Sequence, residues 1–213
     1  SDVVLITTAL KETFPKENFK KVLFLGEWCK VYNEKLTWEP FDSKIVPYHW
    51  DDREKLYTDY QVLQKTYEKI LFELSNKLNK IHQVNYSLRY WRILTGPWLG
   101  YFIQILFDRW FMLNAAFENN QKYSCFIVKR EFLSCVPVDM NDFTECVSTD
   151  GWNEAVYGHL IESCWADRVN VTLVGKIKQV EPFLEKKSIK KYVKDEAFPF
   201  VSKYFVKDDG CFF

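Results

Sequence analysis

The sequence predicts an α/β protein in which a short parallel sheet, a Rossmann-like half, is joined to a large helical block. Two apolar runs near the start and one long stripe of apolar residues at helical spacing carry this expectation. Val3-Val4-Leu5-Ile6 and, after Lys21, Val22-Leu23-Phe24-Leu25 are short, β-branched or apolar runs that close on Thr7-Thr8 and Gly26-Glu27. Continuous apolar runs of that length suit strands covered on both faces, as parallel sheets require. From Leu56 the residues Tyr60, Leu63, Tyr67, Ile70, Leu71, Leu74, Leu78 and Ile81 recur at steps of three and four, the stripe of a helix of about thirty residues.

The remaining elements follow from their punctuation. Lys11 to Lys20 is polar and holds Pro15, so it reads as a loop or brief helix. Trp38 to Trp50 reads as a loop with a third short strand centred on Ile45-Val46 and stopped by Pro47. Asp51-Asp52-Arg53-Glu54 opens the long helix, its acidic residues facing the unpaired amides of the first turn. A second helical block is expected from about Tyr86 to Asn119, with a break at Thr95-Gly96-Pro97 and a fresh helix from Pro97 or Trp98, because proline disfavours helical geometry in the residue before it. Ser124 to Val128 reads as a strand or the end of a tether, Asp139 to Asp142 as a helix cap, Gly151 to Arg168 as a helix and Val169 to Val174 as a strand. The chain is taken as a single α/β lobe over residues 1–213, with a helical sub-block at about 52–119.

Composition narrows the function classes. Hydrophobic residues at 47% and charged residues at 27% are the balance of a folded globular chain. Basic and acidic residues number 29 each, which argues against a nucleic-acid module, since phosphate binding leaves a basic surplus. Aromatic residues reach 18%, enough to fill a core with rings and to leave some for stacking on a ligand. Cys29, Cys125, Cys135, Cys146, Cys164 and Cys211 form no CxxC pair and no tight Cys/His cluster, so zinc is not expected and reduced thiols in the cytoplasm are the default. No cofactor and no metal are expected. The start SDVVLITTAL has no basic leader, and the apolar segment from Trp98 to Leu113 is broken by Gln104, Asp108 and Arg109, so no transmembrane segment is expected. The lysine-rich last forty residues end on Gly210-Cys211-Phe212-Phe213, an apolar end that suggests a fragment of a longer protein.

Three groups of residues could carry chemistry. The strand ends bring Thr7, Thr8, Gly26, Glu27 and Trp28 to where open α/β sheets gather ligands, although Gly26 lacks the spaced glycines of a dinucleotide fingerprint and also fits a plain turn. His49 lies between aromatics and beside Asp51 and Asp52 and could serve as acid or base, or hydrogen-bond locally while the aspartates cap the helix. Arg89 and Arg92, three apart around Trp91, could clamp phosphate or carboxylate with help from amides after Gly96, or pair with acids on the neighbouring helix. Asp108 and Arg109 interrupt an apolar helix and must find a partner, water or ligand. His82 and His159 read as structural, and no GxSxG or HExxH motif occurs.

The same segments resemble the LIC12162 family of transferases of bacterial gene clusters for surface carbohydrate synthesis. The resemblance rests on LITTAL, KVLFLGEWC, VPYHWDDREKLYTDY, LNKIHQVNYSLRYWRILTGPWLGYFIQILFDRW, DMNDF and WNEAVYGHLI, which together span about residues 3–165. It implies the N-terminal, acceptor-side lobe of a two-lobed glycosyltransferase-like enzyme, with a nucleotide-activated sugar held largely by a missing C-terminal lobe and a carbohydrate acceptor as the second substrate. It implies a cytoplasmic enzyme, with a peripheral position at the inner membrane as an option. Gly26 to Trp28, His49 to Arg53 and Arg89 to Trp98 match its signature segments. The combined expectation gives Glu27, His49 and Asp51 as candidate acid–base groups. Thr7, Thr8, Gly26, Trp28, Trp50, Arg53, Arg89, Trp91, Arg92, Gly96 and Trp98 are the candidate substrate contacts. The rival reading is a non-catalytic interaction or positioning domain, in which Arg89, Arg92, Asp108 and Arg109 are all satisfied internally.

Overall fold

A computed structural model describes residues 3–16, 21–118, 121–129 and 136–176. Cys135, Cys211 and the lysine-rich C-terminal stretch lie outside the described residues. The elements run β1 (Val3–Ile6), β2 (Lys21–Phe24), α1 (Lys35–Trp38), β3 (Asp42–Ile45), α2 (Arg53–His82), α3 (Leu88–Phe117), β4 (Tyr123–Lys129), α4 (Met140–Cys146), α5 (Asp150–Cys164) and β5 (Val169–Lys176), with short 3-10 turns at Lys11–Thr13, Glu27–Cys29, Tyr32–Glu34 and His49–Asp51. The expected α/β class with a parallel sheet and a large helical block is the one observed.

All strand pairs are parallel and the order across the sheet is β3-β2-β1-β4-β5. The chain therefore builds outward from β1 to one side, then returns to place β4 on its other side. The central strands are apolar on both faces, with Val4, Leu5, Ile6, Cys125, Ile127 and Val128 all buried. The edge strand β3 reads Asp-Ser-Lys-Ile and is exposed for its first three residues, which discourages pairing with a further chain. It starts earlier than the expected centre at Ile45-Val46, although Val46 still donates its N–H to the Phe24 carbonyl at 2.9 Å.

The described chain falls into two compact units. One, the sheet unit, takes the chain up to Tyr48 and again from Trp110; the other, the helical unit, is His49–Arg109. In the sheet unit α5 lies close on β4, and a side chain at Gly158 would meet Ile127 Cγ2 at 2.9 Å. Glu154, buried on the same helix, accepts the Val128 N–H at 2.7 Å beside the register shift between Val128 and Lys129. Rings fill the rest of this core: Trp165 meets Phe117 at 5.1 Å and Trp110 at 6.0 Å.

In the helical unit Asp52 caps α2 by accepting the N–H groups of Glu54 and Lys55, and the helix runs 30 residues as its apolar stripe predicts. Gln83, in the left-handed region at φ 54°, ends it. Asn79 pins the turn into α3, donating to the Tyr86 carbonyl at 2.9 Å and accepting from Tyr86 N at 3.0 Å and Trp91 Nε1 at 2.9 Å.

The expected break at Thr95-Gly96-Pro97 is absent, because α3 is continuous from Leu88 to Phe117 with Pro97 inside it. Proline disfavours helix in the preceding residue chiefly through that residue's Cβ and N–H, and Gly96 has no Cβ. The carbonyl that loses its partner belongs to Ile93, an exposed residue, so water can satisfy it. No helix among the described residues is long and apolar enough to cross a membrane.

Replacing Pro97 with alanine restores that N–H and is expected to stabilise the protein by up to about 3 kcal/mol, read as a raised urea midpoint at unchanged slope. Burial holds the His159 imidazole below its ordinary value, with Glu162 opposing the shift. The unfolded chain therefore binds the extra proton first, so the contribution is complete above the ordinary histidine value and is lost as pH falls through the depressed one. His159→Gln should flatten the acid side of the stability profile, measured by urea unfolding at pH 8 and in steps below 6.5.

Candidate functional site

The sheet unit presents its strand tips in the order they pair. At the tip of β1, Thr7 and Thr8 are buried, and the next residue, Ala9, donates its N–H to Asp150 Oδ1 at 3.2 Å, at the first turn of α5. The Thr8 hydroxyl oxygen has no hydrogen-bond partner among the described residues. Such a position, where the strand order reverses between β1 and β4, is where open α/β sheets admit ligands.

After β2 the chain turns at Gly26 into the 3-10 turn Glu27–Cys29, and the Trp28 side chain folds back over it. A Cβ on Gly26 would lie 2.1 Å from the Trp28 ring, so the glycine is required by this close approach and not by its φ of −173°, which any residue adopts. The indole Nε1–H donates to the Thr7 carbonyl at 2.9 Å, which ties the β2 tip to the β1 tip. Tyr48, following β3, meets Trp28 edge-on at 6.4 Å, and each ring is 38% exposed. The two form an aromatic wall, open to solvent, along three adjacent strand ends.

Glu27 stands beside it with its carboxylate 76% exposed and 3.3 Å from Lys30 Nζ. Cys29, in contrast, is buried, donates its Sγ–H to the Ile6 carbonyl at 3.5 Å and has its pKa pushed up to about 12 by burial. It remains a thiol at neutral pH and is no nucleophile.

In the helical unit His49 occupies a different setting from that expected of an open acid or base. Its side chain is 3% exposed, Nε2 lies 3.1 Å from Asp108 Oδ1 and Nδ1 lies 4.0 Å from Asp59 Oδ2. Asp59 also accepts from Trp50 Nε1 at 3.0 Å and pairs with Lys55, and Asp108 pairs with Arg109. Asp108 and Arg109 thus find the internal partners that burial demands. Trp50 stacks on Phe107 at 6.0 Å, and Asp51 and Arg53 are exposed around the start of α2.

The third group separates. Arg92 makes two hydrogen bonds of 2.6 Å to Glu68, one to each carboxylate oxygen, and Arg89 is exposed. The guanidinium holds Glu68 below the usual carboxylate range, and Glu68 raises Arg92. Because α3 is unbroken, there is no helix start after Gly96 to lend amides to an anion. Trp91 is buried, with its N–H on Asn79 and its face on His82, while Trp98 stacks on Phe102 at 5.1 Å. Gly96 is buried against Tyr67 on α2.

With this geometry in view, the sequence model described as "LIC12162 family transferase" matches residues 3–212. The chain belongs to this transferase family. Comparison of the LIC12162 family member with curated proteins and with solved structures finds no match. Sequence reasoning passed over Tyr48 as a site residue, along with Asp59, Glu68 and Asp150. For Asp59 a signal existed, since it lies four residues after Lys55 on one helical face. Asp150 and Glu68 join partners 141 and 24 residues away, which no local pattern announces.

Two outcomes test this description of the family member. Asp108→Ala leaves His49 and Arg109 without their buried carboxylate and is expected to cost about 3–5 kcal/mol in urea unfolding. Iodoacetamide at pH 8 should leave Cys29 and Cys125 unlabelled in the folded protein, since burial pushes both thiols up to about 12; peptide mass mapping reads the result.

Proposed function

We propose that this transferase moves a sugar from a nucleotide-activated donor to a carbohydrate acceptor in surface carbohydrate synthesis, and that the strand-tip aromatic wall holds the acceptor. The observation that carries the reading is the Trp28 indole, fixed over Gly26 and hydrogen-bonded to Thr7, with part of its surface left in solvent beside Tyr48. An immobilised, half-open ring loses no rotamer freedom on binding and offers an apolar face to the C–H side of a pyranose. The tip residues supply rings, hydroxyls and backbone, and Lys30 is engaged by Glu27, which suits a neutral acceptor better than a diphosphate.

In the proposed step the acceptor hydroxyl oxygen forms a bond to the anomeric carbon of the donor. The bond from that carbon to the phosphate oxygen breaks, and the nucleoside diphosphate leaves with the electron pair. The hydroxyl proton passes to a carboxylate, for which Glu27, exposed and adjacent to Trp28, is the residue of choice. His49 fits this role less well because both ring nitrogens face carboxylates in the interior of the helical unit.

A positioning role without catalysis is favoured by one specific observation: Arg92, Asp108 and Arg109 all have partners within the helical unit. The two readings separate by experiment. Transfer is assayed by mass spectrometry with a panel of nucleotide sugars and neutral oligosaccharide acceptors, using wild type, Trp28→Ala and Glu27→Gln. Trp28→Ala is expected to raise the acceptor KM, and Glu27→Gln to lower kcat about 100-fold, the scale of general base catalysis, with the unfolding midpoint retained in both. Gly26→Ala should mimic Trp28→Ala, because the new methyl group displaces the indole. Transfer that proceeds unchanged in Trp28→Ala and Gly26→Ala would remove the strand tips from the reaction, and absence of transfer with every donor leaves the positioning role.

A further inference from the structure

A second surface hollow lies wholly within the helical unit. Between α2 and α3 runs an open groove of about 490 Å3, lined by Gln64 and Tyr67 from α2 and by Arg92, Gly96, Pro97, Gly100, Tyr101 and Gln104 from α3. Its size falls within the roughly 300–1,000 Å3 of small-molecule sites. Two glycines four apart leave α3 bare where it faces Tyr67: a Cβ on Gly96 would lie 2.6 Å from the Tyr67 hydroxyl, and one on Gly100 would lie 3.8 Å from its ring.

Gly96, Pro97 and Gly100 are the three residues of α3 that helix propensity disfavours most, and all three line this groove. A helix that breaks a local rule three times within five positions, each time at the same hollow, follows the pattern expected where function competes with stability.

The chemistry of the lining selects the ligand. Arg92 would attract an anion by itself, but Glu68 neutralises it through two hydrogen bonds, so the charged pair at the groove sums to zero. Exposed ion pairs add little to stability, which leaves their remaining donors and lone pairs as the feature of interest. The Gln64 and Gln104 side chains, each both donor and acceptor, are exposed and make no hydrogen bond to another described residue. Tyr101 is 59% exposed, and the Tyr67 ring carries the Arg92 guanidinium at 5.9 Å from its centroid. Donors and acceptors beside aromatic faces, with no net charge, complement the vicinal hydroxyls and C–H face of a neutral sugar.

We infer that the α2–α3 groove is a saccharide subsite that takes neutral sugar units of a glycan. The inference rests on the carbohydrate reading for its ligand class and goes beyond it in adding a site apart from the strand tips. Calorimetric titration of the full chain with methyl maltoside, methyl cellobioside and diacetylchitobiose, against glucuronate and inorganic phosphate as anionic probes, tests it. At least one neutral disaccharide is expected to saturate at millimolar concentration or below and to bind more tightly than either anion. Tyr101→Ala and Gly100→Leu, which remove one wall and fill the floor, should each weaken that binding about tenfold or more without lowering the unfolding midpoint. Gln104→Ala, a surface change on the same helix, should weaken it less, and Trp28→Ala should leave it intact.

Failure of all three disaccharides to bind, tighter binding of phosphate, or binding indifferent to Tyr101→Ala, Gly100→Leu and Gln104→Ala overturns the inference. Binding that survives Trp28→Ala in a protein without transferase activity keeps the groove and discards the transfer reading. Transfer that depends on Trp28 while the groove variants bind as wild type discards the groove alone.

Discussion

The geometry of the strand tips depends on β1 having a neighbour on each edge. A four-residue strand flanked by β2 and β4 has its amides and carbonyls committed on both sides and its side chains buried on both faces. Its direction and depth are therefore fixed, and the residues that follow it have nowhere to go but the carboxyl edge of the sheet. Thr7 lends its carbonyl to Trp28 and Ala9 lends its N–H to Asp150, so the tip of the central strand organises the indole on one side and the first turn of α5 on the other. The glycine at position 26 matters through the ring that covers it. Its role is steric, and its extended backbone imposes no demand of its own.

The helical unit obeys a different logic. Its length and cap follow from ordinary rules: an aspartate at the start of α2, an apolar stripe, a left-handed residue at the end. Departures from the rules gather on α3. Gly96 lets Pro97 remain in a helix, and Gly96 is tolerated in turn because Tyr67 fills the space beside it. The rule that a helix stops before proline assumes a side chain on the preceding residue, and the glycine here removes it.

How far the sequence could be read depended on whether each answer was local. β1 and β2 were legible because their apolar runs report burial directly, β5 because Val169, Val171 and Val174 are β-branched although most of the strand faces solvent, and α2 because thirty residues of stripe average out any single exception. The edge strand β3 was misplaced by a few residues because Asp42, Ser43 and Lys44 face solvent and leave no hydrophobic trace. Among candidate site residues, the need of Asp108 for a partner was visible, since an acid in an apolar helix must be satisfied. That the partner is His49, 59 positions earlier, was not. Arg92 likewise had two open readings, anion clamp or internal pair, and only the register of α2 against α3, which brings Glu68 opposite it, decides for the pair.

That pairing changes what kind of recognition the helical unit can supply. A lone arginine on a groove binds phosphate by charge, and almost any phosphate will do. An arginine whose carboxylate partner is held opposite it offers direction in place of charge: remaining N–H donors on one side, lone pairs on the other, at fixed separation. A phosphate entering there would have to displace Glu68 and face its negative charge, whereas a diol can donate to the carboxylate and accept from the guanidinium without disturbing either. The same two side chains would thus disfavour a phosphate and accommodate an uncharged diol, a distinction that composition alone, with acidic and basic residues equal in number, could never express.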